Sequence, residues 1–302
     1  MEFRRLAALV AVAEHGTFSA AADALQTVQS NVSTHVARLE RELGVTLVDR
    51  AAGQLTDEGR AVVARARRIA AELDAIRSDV AAFRDEVSGT VRLGVIGTTG
   101  RWLAPRLLSS LAERQPGVTL SLHEGTSGTL EPQLVGGRLD LAVVHLPVPP
   151  HDLVAQPLFD EDLVLVVRAD DPLATRSPLR LADLAEVPLL LPIPGTAFRD
   201  ELDLAAWEAG VTLRPRAELD GIRLIASLTF EGNGPAVLPA TAVPGFLREG
   251  WRSVPVAGLP QRRIGVAMRR RGLPSAPTRA VLELLHEVTA SGAAGQPGVH
   301  PV

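Results

Sequence analysis

From Ser19 to Gly44 the chain reads "SAAADALQTVQSNVSTHVARLERELG". Its polar side chains are of the types that contact nucleic acid: amides and hydroxyls hydrogen-bond base edges, and arginine holds phosphate. On a wheel turning ~100° per residue, Val28, Val32, Val36, Leu39 and Leu43 share one narrow stripe. Ser30, Thr34, Arg38 and Arg41 lie opposite, Asn31 and Ser33 on the flanks, Gln29 and His35 on the shoulders. A solvated helix face is the plain reading of that pattern. The arrangement favours more: a short helix, a turn of two or three residues and a helix with an uncharged polar start make the helix-turn-helix plan.

A second group of residues suits a small anion. Thr98 and Thr99 fall where a strand, "VRLGVIG", runs into a helix, so hydroxyls and free backbone N–H groups converge at a helix start that attracts a carboxylate. Capping of the helix by one threonine is the alternative. Ser127 in "EGTSG", His145 at a strand end and Thr196 in "PGTAF" are each readable, on their own, as a loop cap or a satisfied buried polar group. Phe198 and Phe230 would serve as apolar walls or as core.

The elements that must position these groups follow from periodicity. Phe3, Leu6, Leu9, Val10 and Ala13 recur at helical spacing before Gly16. Ser19 is a candidate cap for a second helix that packs through Ala21, Ala22 and Leu25, and Thr27 for a third ending at Gly44. From Thr56 to Ser88, Val62, Ala66, Ile69, Leu73, Ile76, Val80, Phe83 and Val87 recur every three or four residues, a stripe that asks for a partner helix in this chain or in a second copy. Beyond Gly89 short apolar strands alternate with helices ("VTLSLHEG", "LDLAVVHL", "DLVLVVRA", "PLLLP", "RAELD", "PAVLP", "RIGVAMR"), with helices at 103–114, 129–135, 198–208, 222–230 and 278–289, an α/β organisation. Residues after about Ser291 read as a disordered tail, 294–302 lying outside any domain.

Composition bounds the rest. A chain of 302 residues with 46% hydrophobic residues can fill two or three cores. With no cysteine, disulfides, thiolate metal sites, cysteine nucleophiles and thiol redox sensing are excluded. The formal charge is −4, and residues 1–60 carry six arginines against eight acids, a balance of −2, so electrostatic footprint alone would not identify a DNA-binding module. The start "MEFRRLAALVAVAEHG" imitates a signal peptide, but its apolar run is only eight residues and acids flank it; a buried helix fits better. No other apolar run approaches the ~20 residues that span a bilayer, which places the protein in the cytoplasm with no membrane partner.

The quoted stretch, with "FSAAADAL", "LVDR" and "LTDEGR" at their spacings, resembles the LysR-type transcriptional regulators, in a "TVQSNV" subgroup. The resemblance implies an N-terminal winged helix-turn-helix (1–58), a long linker and dimerisation helix (59–89) and a C-terminal two-lobed α/β domain (90–293) similar to periplasmic solute-binding proteins. Lobe I would comprise about 90–161 and 266–293, lobe II about 162–265. It further implies double-stranded DNA as partner, an interrupted palindrome in a promoter, contacted through Ser19, Thr27, Gln29, Ser30, Asn31, Ser33, Thr34, His35, Arg38 and Arg50. A homodimer or homotetramer would bind it, with RNA polymerase as a further partner and a small-molecule effector between the lobes at Thr98, Thr99, Ser127, His145 and Thr196. Two departures stand out. The wing, "AAGQ", lacks about two residues and the arginine that reaches the minor groove, and Val28 replaces the usual hydroxyl, which moves to Thr27.

Other classes find less support. "GVIGTTG" and "GNGPAV" complete no dinucleotide or phosphate loop, and "GTSG" is no nucleophile elbow. The seven histidines form no HExxH pair, so no metal, cofactor or enzymatic constellation is expected. A transport-type solute-binding protein would share the two lobes but not the helix-turn-helix.

Overall fold

The computed structural model describes residues 1–84, 86–176, 179–244 and 250–302. The N-terminal unit comprises α1 (Phe3–His15), α2 (Phe18–Ala24), α3 (Gln29–Leu43), a hairpin of β1 (Val48–Asp49) and β2 (Gln54–Leu55), and the start of α4 (Asp57–Ala82). Its core forms where the helical stripes meet, with Leu6, Leu9, Val12, Val32, Val36 and Leu39 buried. Each such side chain contributes about 1.5–3 kcal/mol by leaving water.

The helix caps correct the sequence reading. Thr17, not Ser19, caps α2, its Oγ1 accepting from Ala20 N at 3.1 Å. The hydroxyl two residues earlier lies outside the helix on extended backbone, where it can reach back to the free N–H groups; Ser19 is exposed in the first turn. Val28, in extended conformation, precedes α3 and is 59% exposed rather than part of its core stripe, because a residue outside the helix does not follow its wheel. Thr27 gives α3 no cap bond; its Oγ1 accepts from Asn31 Nδ2 at 3.0 Å. Leu25, the residue that ends α2, and Leu43, at the end of α3, are exposed as well. Thr56 caps α4 as expected, accepting from Gly59 N at 2.9 Å.

After α4, which ends six residues short of Ser88, come β3 (Gly89–Ile96), α5 (Gly97–Arg114), β4 (Val118–Gly125), α6 (Ser127–Val135), β5 (Leu141–His145) and the long β6 (Leu153–Arg168). They are followed by β7 (Leu179–Arg180), β8 (Pro188–Pro192), α7 (Ala197–Glu208), β9 (Arg214–Leu219), α8 (Ile222–Phe230), β10 (Ala236–Pro239), β11 (Trp251–Ala257), β12 (Gln261–Arg269), α9 (Ala276–Ala293) and β13 (Val299–Pro301). The main sheet runs β4-β3-β5-β12-β6-β11-β7, with β10 and β13 also paired to β6. β3 is parallel to β4 and β5, whereas β12 is antiparallel to β5 and β6.

β6 is the strand both lobes share. Its first half pairs with β12 and its second half with β10 and β11. In the second half the two-residue period sends Leu163, Leu165 and Val167 into one core and Val164 and Val166 into another, so this stretch is apolar throughout. The first half contains Pro157, which cannot donate to a ladder. There the register slips between Ile264 and Gly265, and a Cβ at Gly265 would stand 2.6 Å from Gln156 O. A bulge beside a side-chain-free residue accommodates the proline. The return strand begins at Gln261 opposite Asp162, five residues ahead of the expected crossing at 266, because it pairs with β6 along its whole length.

The C-terminal residues are not a disordered tail. β13 pairs with β6, Val299 is buried, and Gln296 Nε2 donates to Ala240 O at 2.8 Å and Val243 O at 3.0 Å. Free ladder positions on Phe159–Glu161 supply the pairing that nine residues of glycine-rich sequence do not announce. Among the described residues no helix is long and apolar enough to cross a membrane, and no cluster of His, Asp and Glu could hold a metal ion.

Candidate functional site

Two groups of residues stand out, one on α3 and one where the lobes meet. On α3, burial of Val32, Val36 and Leu39 turns the opposite face outward, leaving Gln29, Ser30, Asn31, Thr34, Arg38 and Arg41 exposed and Ser33 and His35 half-buried. Arg50, at the end of β1, lies beside the same helix: Nη1 donates to Ser33 Oγ at 3.4 Å, Nη2 is 3.8 Å from Glu40 Oε2, and the guanidinium sits 5.5 Å from the Phe18 ring centre. Glu40 fixes the hairpin to α3 by accepting from Leu47 N at 2.8 Å and Val48 N at 3.2 Å. The short wing is tight, with Asp49 Oδ1 accepting from Ala51 N and Ala52 N.

In the C-terminal domain the expected effector residues fall at element ends. Thr98 and Thr99 lie buried in the first turn of α5, whose N-cap is Ile96 with no side-chain cap bond, so neither threonine caps the helix. Thr99 Oγ1 is buried without a partner among the described residues. Ser127 opens α6 and His145 ends β5, and the structure brings these two together: Ser127 Oγ accepts from His145 N at 3.1 Å and lies 3.3 Å from Nδ1. Thr196 caps α7, its Oγ1 accepting from Arg199 N and donating to Ile193 O. Among the described residues, no side-chain hydrogen bond joins Thr98, Thr99 or Thr196 to the Ser127–His145 pair. Phe198 belongs to the second lobe's core, and Phe230 packs edge-on against Trp251.

Three charged residues at this junction gave no sequence signal. Arg262, at the start of β12, has a side chain only 8% exposed; its Nη2 is 3.4 Å from His145 Nδ1, its Nε 3.4 Å from Glu201 Oε2 on α7, and its guanidinium 5.0 Å from the Phe198 ring centre. Glu161 pairs with Arg262 across the β6–β12 ladder and is fully buried, one oxygen accepting from Thr241 Oγ1 at 2.8 Å and the other without a partner. In the sequence Glu161 sits between Asp160 and Asp162 and looks like one more solvated acid, and Arg262 stands beside Arg263, which does face water. Burial pushes the Glu161 and Glu201 carboxyls above their ordinary range, with Arg262 pulling the other way. Burial, then the neighbouring Arg262 charge, lowers His145 from 6.5 to about 3, so the ring is neutral. Arg223 Nε on α8 meets Glu124 Oε1 on β4 at 2.8 Å, tying one lobe to the other. Two cavities, of about 50 and 550 Å3, lie elsewhere, the larger beside Leu146, Pro147 and Arg270.

A helix-turn-helix with a β-hairpin wing, joined by a long helix to a two-lobed α/β domain, is the plan of a DNA-binding regulator. The "Bacterial regulatory helix-turn-helix protein, lysR family" matches residues 3–60 and the "LysR substrate binding domain" residues 84–290, so the chain belongs to the LysR family of transcriptional regulators. It is 32% identical over 291 residues to the DNA-binding transcriptional dual regulator OxyR of Escherichia coli K12, covering 95% of this chain and 94% of that one. A probable hydrogen peroxide-inducible genes activator of Streptomyces viridosporus is 37% identical over 276 residues, 88% of this chain and 87% of the relative. Among solved structures, full-length OxyR from Pseudomonas aeruginosa, in a cysteine-to-aspartate form, superposes with a TM-score of 0.79 at 27% identity, over 100% of this chain and 99% of that one. Full-length CbnR complexed with target DNA gives 0.66 at 26% identity, over 97% and 100%.

Proposed function

We propose that this regulator reads an interrupted palindrome in promoter DNA through the outward face of α3, with Gln29, Ser30, Asn31, Ser33, Thr34, His35 and Arg38 at base edges and phosphates and Ser19, Thr27 and Arg50 on the flanking backbone. The observation that carries this reading is the exposure of an uncharged polar helix start opposite a closed apolar core. A second copy supplies the other half-site. On α4 and its C-cap, Ile69, Leu73, Ile76, Val80 and Phe83 follow a 4-3-4-3 spacing and are exposed, Phe83 at 91%, the pattern of a coiled-coil seam. The full particle is a dimer or a dimer of dimers acting with RNA polymerase in the cytoplasm.

The effector is a small carboxylate held between the lobes by Thr98, Thr99, Ser127, His145 and Thr196. Two of these, Thr99 and His145, carry buried polar atoms without partners among the described residues, as residues of a polar binding site do. The relatives are named for hydrogen peroxide, but this chain has no cysteine, so its response does not run through a thiol. Ligand binding shifts the assembly only by its difference in affinity for two subunit arrangements.

Fluorescence anisotropy on DNA from upstream of the protein's own gene, against scrambled DNA, tests the reading. A preference of at least ~10³-fold, lost in Arg38→Ala and Gln29→Ala, supports it; equal binding to both DNAs refutes it. If Thr98→Val with Thr99→Val leaves the ligand response intact, the effector assignment is wrong.

A further inference from the structure

We propose that Arg262 is the anchor for the effector's anionic group and that Glu201 is its resident counter-ion, displaced when the effector enters. This rests on the reading that an anionic effector binds between the lobes.

A nearly buried guanidinium demands an anion, because an unpaired charge out of water is strongly destabilising. Two carboxylates lie near it. Glu161 is committed to Thr241 and wholly enclosed. Glu201 stands 3.4 Å from Nε with its side chain 26% exposed, longer than the 2.7–2.9 Å of a tight charge-assisted bond. It is therefore a loosely held partner with a route to solvent. Phe198 covers one face of the guanidinium, which leaves the planar N–H edge as the recognition surface, and that edge matches a carboxylate in two-point fashion.

The histidine supports the same conclusion. Arg262 has only donors, so its contact with Nδ1 makes that nitrogen the acceptor and puts the ring proton on Nε2. This Nε2–H is buried and meets no acceptor among the described residues. Guanidinium edge and imidazole N–H together offer donors complementary to a small carboxylate. Glu201 belongs to α7 in the second lobe, whereas Arg262 lies on the strand that joins the lobes and His145 on β5 of the first. Releasing Glu201 from Arg262 therefore removes, among the described residues, one of the two contacts between α7 and this strand, the other being Phe198, which gives ligand binding a direct means of altering the angle between lobes.

The test is calorimetric titration of the full chain with sodium malonate, against sodium chloride at equal ionic strength. Glu201→Gln and Glu201→Ala are expected to bind malonate about tenfold more tightly than the unsubstituted chain at neutral pH, because no internal anion competes. Acidification is expected to tighten binding to the unsubstituted chain and not to either variant. Arg262→Gln is expected to lose binding; Arg262→Lys keeps the charge without the fork and serves if the first variant does not fold. Unchanged affinity in both Glu201 variants overturns the displacement, and full affinity in the Arg262 variants overturns the anchor; either result leaves the carboxylate reading of the cleft standing. Malonate binding that ignores Thr98→Val with Thr99→Val overturns that underlying reading instead, and absence of binding to every form overturns both.

Discussion

Replacing His145 by glutamine isolates one buried proton equilibrium. In the folded chain the ring accepts from Arg262 and stays neutral down to about 3, against 6.5 for a free imidazole. The folded value is depressed, so the native state binds fewer protons than the unfolded one, and stability falls as pH drops below 6.5 and keeps falling until about 3. Between pH 7 and pH 5 the unfolded imidazole takes up about three-quarters of a proton that the folded ring refuses, which removes about 2 kcal/mol of stability from this residue alone. That is a large part of a typical margin of about 5–15 kcal/mol. Glutamine at this position has no such equilibrium, while the backbone N–H that donates to Ser127 Oγ remains. Urea denaturation at the two pH values, followed by tryptophan fluorescence with buried Trp102 reporting the first lobe, is expected to show a pH-dependent loss smaller by about 2 kcal/mol in His145→Gln. Equal losses in the two proteins would refute the neutral buried ring, which burial first and the Arg262 charge second explain.

Leu39→Ala opens a cavity in the N-terminal core, where Leu39 is fully buried, and is expected to cost about 2–5 kcal/mol, read as a lowered urea midpoint. Glu40→Ala leaves the buried Leu47 and Val48 N–H groups without acceptors; at about 1–3 kcal/mol per orphaned donor, thermal denaturation should show the N-terminal unit weakened, and an unchanged melting profile would rule out this link between α3 and the wing. Removing residues 294–302 deletes β13, the buried Val299 and both Gln296 hydrogen bonds, with an expected loss of at least ~3 kcal/mol. A disordered tail would cost nothing.

The N-terminal unit was legible because its contacts are local. Val32, Val36 and Leu39 repeat at the helical period, and the turn to α3 is short, so the stripe that packs inward also dictates that Gln29, Ser30, Thr34 and Arg38 face outward. Helix ends were less legible. Ser19 and Thr17 are both plausible caps by type, and only the backbone conformation at Thr17 decides between them. In the C-terminal domain, periodicity marked α8 at 222–230 and the apolar half of β6, but not the half through Pro157, which forms only because Gly265 lets the partner strand close in.

The sequence by itself therefore determined the family, the order of the helices and of the apolar strands, though not β7, β11 or β13, and the polar character of the reading helix, all consequences of residue types acting on near neighbours. Tertiary structure alone decided that Arg262, Glu161, Glu201 and His145, up to 117 residues apart, meet at one buried junction, and that the last nine residues complete a sheet. Such meetings depend on strand register and on which charge is left without water, and neither is encoded in the spacing of residues along the chain.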